Sequence, residues 1–251
     1  MLFGQLFSGI IAKKATQGEP MDNIAEFLKH TKLLREIPVE IIDAHIVPKG
    51  TLERYTKGEM LIHAQQKIDD VKILISGKVN ILYYFEDGSY SLATTETPPY
   101  VLALDLIATR SRRSPYFAVA SEDSVVFSVP SGMILKPGEI PEPERQTILN
   151  NFLIMLSHLH MQKEKHLMAL SRNGLRDRIM TYLSLQAQWK KSHCFEIPFS
   201  REEMAAYLCV NRSALSHELS LMRKEGLIDF SKNYFVLLKY SKVNKDNRYG
   251  L

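Results

Sequence analysis

Residues 199–240 read FSREEMAAYLCVNRSALSHELSLMRKEGLIDFSKNYFVLLKY, and the order of signals in them decides the fold of the C-terminal third. Ser200 with Glu203 three residues on is a capping box, which satisfies two otherwise unpaired donors at a helix start. It opens a short helix over about Arg201–Leu208. Cys209-Val210 makes a tight turn. Asn211 is a good N-cap for the next helix, because its side chain can accept from a backbone N–H that helical bonding leaves open. In that helix Leu215, Leu219 and Met222 fall at i, i+4 and i+7 and form one apolar face. Gly226 ends it as a C′ glycine. Two strands, Leu227–Phe230 and Tyr234–Leu238, then flank Ser231-Lys232-Asn233. Helix, short turn, helix, hairpin is a winged helix-turn-helix.

Such a second helix packs through its apolar face and offers Arg212, Ser213, Ser216 and His217 on the other, with Asn211 at its head. An α-helix fits the major groove of duplex DNA, and residues in its first turns reach base edges. The Arg212 fork matches guanine O6 and N7, and Ser213 serves either partner of a base pair. His217 can donate to guanine or touch phosphate; a solvated helix histidine is its alternative. Ser200 and Arg201, at the start of the first helix, are placed for backbone phosphates. Charge agrees with this reading. Residues 171–251 hold 14 Lys+Arg against 8 Asp+Glu, whereas 1–170 hold 18 against 20. The basic third is suited to a polyanion, although a solvated surface has the same look.

Upstream the texture differs. Residues 146–170 place Ile148, Leu149, Phe152, Leu153, Leu156 and Leu159 on a long helix with one apolar stripe, wide for a helix with a single neighbour. The economical second neighbour is the same helix of another subunit, which makes Leu149, Phe152, Leu156 and Leu159 the expected dimer seam; one buried helix in a monomer is the alternative. Before it, from about Val39, short β-type runs are punctuated by Gly50, Gly58, Gly77, Gly88 and Pro98-Pro99. Val71–Ile75, Val79–Tyr83, Phe117–Ala120 and Val125–Val129 read as separate strands, and Asp87-Gly88 as a type I′ hairpin turn. Short strands at this spacing predict a small antiparallel barrel or jelly roll. Residues 22–35, with Ile24, Phe27, Leu28 and Leu33 on one side, read as a helix. The first 21 read as an arm, and Met21 is a possible alternative start.

With 251 residues, 45% hydrophobic and 24% charged, the chain is of ordinary globular composition. Cys194 and Cys209 form no metal-binding pair and read as reduced thiols of a cytoplasmic protein. No apolar run is long enough to span a membrane, so no membrane partner is expected. A cupin-type metalloenzyme would need paired histidines and a carboxylate on barrel strands; His45 and His63 do not supply them. No nucleophile triad, P-loop or dinucleotide fingerprint is present.

The order of parts, with NRSALSHEL and LMRKEGLI, resembles the Crp/Fnr family of bacterial transcription regulators over roughly residues 40–240. The resemblance implies an α+β chain in four parts: an arm (1–21), an effector-sensing β-roll of the cyclic-nucleotide-binding type (22–145), a dimerisation helix (146–170) and a winged helix-turn-helix DNA-binding domain (171–251). It implies a homodimer on a near-palindromic double-stranded DNA operator, with RNA polymerase as a further partner, no enzymatic activity, no metal and no fixed cofactor. By resemblance Arg212, Ser213 and His217 read bases. The family's phosphate-binding Arg-Ser pair falls at Arg113-Ser114 and its ribose-binding Gly-Glu pair near Leu102-Ala103, with Asp105 a substitute from a shifted register. Lys163 and Glu164 stand near the expected nucleotide base. The lost ribose carboxylate and a glutamate near the ligand argue against cyclic AMP, leaving an unidentified small-molecule effector. Another anion on Arg110, Arg112 and Arg113, or a constitutive regulator with an empty roll, are the alternatives.

Overall fold

The computed structural model describes residues 24–238. The expected N-terminal arm, with the alternative start at Met21, lies outside them, as do residues 239–251.

Two long strands make the roll. β3 (Asp70–Tyr84) and β6 (Phe117–Pro130) pair antiparallel from Asp70↔Pro130 to Leu82↔Phe117. β1 (Thr51–Tyr55) and β2 (Met60–Ile62) pair with β6; β4 (Tyr90–Glu96) and β5 (Tyr100–Leu102) share the other edge of β3. The four runs expected as separate strands are therefore two. The signal misread as a break is Gly77, which has φ +90° where the β3–β6 register shifts. A glycine in this conformation bends a strand without ending it.

The β3–β4 turn also differs from the type I′ expectation. Gly88 has φ +79°, but Asp87 is not in the left-handed region. Gly88 N donates to Phe85 O (3.0 Å) and Phe85 N to Ser89 O (2.9 Å). This is a three-residue loop, a type I turn closed by a left-handed glycine. Asp87 Oδ1 accepts from Ser89 N at 2.9 Å and thereby stabilises the turn.

The helix expected over 22–35 is shorter. α1 covers Ile24–Lys29, and Thr31 Oγ1 donates to Leu28 O at 2.6 Å. That local bond competes with helical continuation. Leu33 and Leu34 are buried from the turns that follow. A short helix α2 (Val39–Ile41), a π-turn (Ile42–Ile46) and a 3₁₀ turn (Val47–Lys49) lead into β1. α3 (Leu104–Ile107) follows β5, and α4 (Gly132–Leu135) follows β6.

The long helix α5 spans Glu142–Leu170, starting four residues ahead of the expected 146. Pro141 and Pro143 explain the early start, since proline at a helix entrance lacks only an N–H that has no helical partner. Ile148 and Phe152 enter the roll's own core, with Leu149, Met155 and Leu156 packed against it. The C-terminal unit has α6 (Leu175–Lys190), α7 (Arg201–Tyr207), α8 (Arg212–Lys224) and a sheet of order β7-β9-β8, with β7 Cys194–Glu196, β8 Ile228–Ser231 and β9 Tyr234–Leu237.

Candidate nucleic-acid interface

The helix-turn-helix is built by the local codes that predict it. Glu203 N donates to Ser200 Oγ (3.2 Å) and Ser200 N to Glu203 Oε2 (2.7 Å), completing the capping box of α7. The turn needs a left-handed residue, and Cys209 occupies it at φ +54°. A non-glycine residue there costs about 1–2 kcal/mol. Asn211 sits at the N-cap of α8 with φ −71° and ψ 141°, but its side chain makes no capping bond; its cap is one of backbone position. At the other end Leu227 N donates to Met222 O and Gly226 N to Arg223 O, both at 3.0 Å, with Gly226 at φ +67°. These two bonds are a Schellman motif, which turns the chain into the wing.

Leu215, Leu219 and Met222 of α8 are fully buried. Ser213, Ser216 and His217 are exposed away from that face, and Asn211 and Arg212 are exposed at the head of the helix. The structure thus gathers five of the sequence-predicted residues on one polar edge at the start of α8. Ser200 is exposed as well. Arg201 differs. It is half-buried, its guanidinium lies 5.0 Å from the Phe230 ring centroid and 5.3 Å from that of Phe235, and Nη2 donates to Lys232 O at 2.7 Å. Burial lowers its pKa. Arg201 braces the wing against α7, with its Nη2 spent on the Lys232 carbonyl.

Sequence reasoning missed a contact between the roll and α7. Asn80 Nδ2 donates to Glu203 Oε1 at 3.0 Å, and Lys78 Nζ donates to Pro198 O at 3.0 Å and lies 3.5 Å from Glu203 Oε2. Thr95 Oγ1 donates to Asn80 Oδ1 at 2.8 Å and orients that amide. Leu82 and Leu92 of the roll belong to the hydrophobic cluster of the C-terminal unit, beside Phe199 and Met204. Burial raises the Glu203 pKa, but the hydrogen bonds from Ser200 and Asn80 and the Lys78 charge outweigh it and hold the carboxyl below its usual range. At the junction below α5, His166 stacks on Tyr207 (centroids 3.8 Å apart), and His166 Nε2 is 2.7 Å from Tyr207 O. No spacing pattern announces partners more than a hundred residues apart.

The residues expected around an effector are differently employed. Leu102 is fully buried and Ala103 nearly so; Ala103, at φ +55°, is the residue that turns β5 into α3. Ser114 is fully buried, and its hydroxyl donates to Tyr116 O and accepts from Tyr116 N. Arg113 Nη1 donates to Gln65 O at 2.7 Å and Arg112 Nη1 to Asp69 Oδ1 at 3.1 Å. Asp105 and Lys163 pair with each other at 2.9 Å, and Tyr116 Oη donates to Asp105 at 3.2 Å. Leu102, Ala103 and Ser114 therefore offer a ligand no open surface or spare hydroxyl. Glu164, expected near a nucleotide base, is exposed. Nearby, burial pushes the half-buried Glu96 up to about 7, opposed by hydrogen bonds from Thr94 and Tyr100 and by the Lys32 charge.

The seam expected on α5 also needs correction. Phe152 is 5% exposed in the chain's own core, and Leu149 and Leu156 pack on that core; Leu159 is half-buried on the same side. The apolar residues that α5 turns outward are Leu153, Ile154, Leu167 and Met168. Periodicity found the stripe, and the roll took Ile148 and Phe152 from it.

Two family models match the chain: the cyclic nucleotide-binding domain over residues 52–136 and the Crp-like helix-turn-helix domain over residues 177–244. The transcriptional activator protein FnrL of Cereibacter sphaeroides is 22% identical over 200 residues, which are 75% of this chain and 77% of that protein. Among solved structures, FixK2 from Bradyrhizobium japonicum aligns with a TM-score of 0.60 at 19% identity, over 77% of this chain and 94% of that one. The c-di-GMP responsive global regulator CLP of Xanthomonas campestris aligns with a TM-score of 0.64 at 14% identity, over 80% of this chain and all of that one. These structures share the fold, and no helix among the described residues is long and apolar enough to cross a membrane. With a roll of the nucleotide-binding type, a long connecting helix and a Crp-like reader in this order, the chain belongs to the Crp/Fnr family of DNA-binding transcription regulators, not to a family of enzymes.

Proposed function

We propose that the protein is a cytoplasmic homodimeric regulator that reads a near-palindromic operator with α8, Arg212 and Ser213 touching bases in the major groove and Ser216 and His217 one turn further along. The observation that carries this reading is the division of α8 into a fully buried apolar face and an exposed polar edge. Ser200 and Asn211 line the backbone side of that edge, and Arg201 positions the wing. A regulator bound beside a promoter also meets RNA polymerase, which is the further partner we assign. Selection from a random duplex pool should yield a two-half-site sequence. Arg212→Ala should then cost about 1–3 kcal/mol of operator binding and relax one base position in each half-site. Equal loss on every duplex would make Arg212 a phosphate contact instead.

For the roll, one observation favours the reading without an effector: Ser114, Leu102 and Ala103 are closed, and Asp105 and Lys163 satisfy each other. Operator binding by the purified protein then needs no added small molecule. A thermal-shift panel of nucleotides and other anions should leave the melting temperature unchanged. A ligand at 100 times its Kd would raise it by about 5–10 °C, and any such rise restores the effector-controlled reading.

A further inference from the structure

Arg176, in the first turn of α6, spans two points of α8. Its Nε donates to Glu218 Oε1 at 2.6 Å, and its Nη1 and Nη2 donate to the two carboxylate oxygens of Glu225 at 2.7 and 2.9 Å. Glu218 follows His217 directly, and Glu225 is the C-cap of the same helix. The two carboxylates lie seven residues apart, about 10 Å along the axis. One guanidinium therefore fixes the helix at its middle and at its end, which restrains both its rotation and its tilt. A planar fork does this with directed bonds that an ammonium lacks. Only residues 171–174 separate α5 from α6, and Arg178 Nε donates to Arg172 O at 2.9 Å inside that link. The first turn of α6 is thus tied to the hinge on one side and to the reading helix on the other.

We propose that Arg176 is the positioning residue of the recognition helix: it sets the angle at which Arg212, Ser213 and His217 meet the groove. This rests on the reading of α8 as the helix that contacts bases. Arg176 itself touches no DNA in this scheme, so its loss acts on discrimination. Bidentate contacts to base edges need their donors aligned, whereas phosphate attraction tolerates a few degrees of tilt.

The test uses the full-length protein, the duplex selected by the wild type, and a duplex altered at the bases facing α8. Arg176→Ala should lower affinity for the selected duplex roughly tenfold, leave binding to the altered duplex nearly unchanged, and barely move the melting temperature. Arg176→Lys should recover only part of the loss. Glu225→Gln should weaken binding in the same way, and the double variant with Arg176→Ala should be no worse than Arg176→Ala alone. Unchanged discrimination in Arg176→Ala overturns the proposal. So does an equal loss on both duplexes accompanied by a lower melting temperature, since the fork then only holds the domain together. A wild type that selects no duplex overturns the base-contact reading and this inference with it, and the wild-type arm alone reveals that case.

Discussion

Charged residues at the outward face of α5, as in Leu153→Glu combined with Ile154→Lys, are expected to leave a folded monomer that binds its operator at least 100-fold more weakly. Both side chains are exposed in the single chain, at 61% and 48%, so the substitutions disturb little intrachain packing. Leu167 and Met168 extend the same apolar face toward the reader. A second copy of α5 covers such a stripe most simply by twofold symmetry. Joining two readers makes the second half-site contact intramolecular, an advantage of about 10²–10⁴ in affinity that a monomer forfeits. Sedimentation and titration of the operator measure the two halves of this expectation. A double variant that still sediments as a dimer would remove α5 from the interface. The same charges at Phe152 would unfold the roll instead, because that ring is in its core.

Gly77→Ala should destabilise the roll by on the order of 3 kcal/mol, combining left-handed backbone strain with overpacking. At φ +90° an L-residue is strained, and an added Cβ would lie 2.6 Å from Ser124 Cα and closer still to Ser124 Oγ and the Asp123 carbonyl. These are mostly backbone atoms of β6, held in register by the β3 ladder, so they cannot step aside as a flexible side chain would. Denaturant titration reads the effect directly; a loss below about 1 kcal/mol would show that the bend relaxes at little cost. By contrast Gly88, at φ +79° with open space around it, leaves only the conformational penalty.

How much of this was legible in the sequence depended on the range of the code. The helix-turn-helix was read almost residue by residue, because capping box, i+4 spacing and C′ glycine act within one or two turns of chain. Asn211 marks the edge of that success: the residue type fits the cap, but the backbone alone makes it. The roll was read as a class and misread in detail, since a glycine that bends a strand and one that ends it look alike on paper. On α5 the period was right, but Phe152 went to the chain's own core, as a stripe of apolar residues does not say which surface will cover it. Leu102, Ala103 and Ser114 came from analogy with nucleotide binders, and burial then removed them as open positions. Arg176 and Asn80 could not be found at all. Their carboxylate partners, Glu218 and Glu203, are 42 and 123 residues away and no spacing rule reaches that far.

Leu82 and Leu92 bear on anyone who would cut this molecule into modules. They sit on the roll yet complete the apolar cluster that holds Phe199 and Met204. A reader excised at the hinge would therefore present a raw greasy patch to water and would be prone to self-association. Chimaeras that graft it onto a foreign sensor need a donor sheet carrying equivalents of the two leucines and the Asn80 amide, or they inherit a sticky, misaligned fragment.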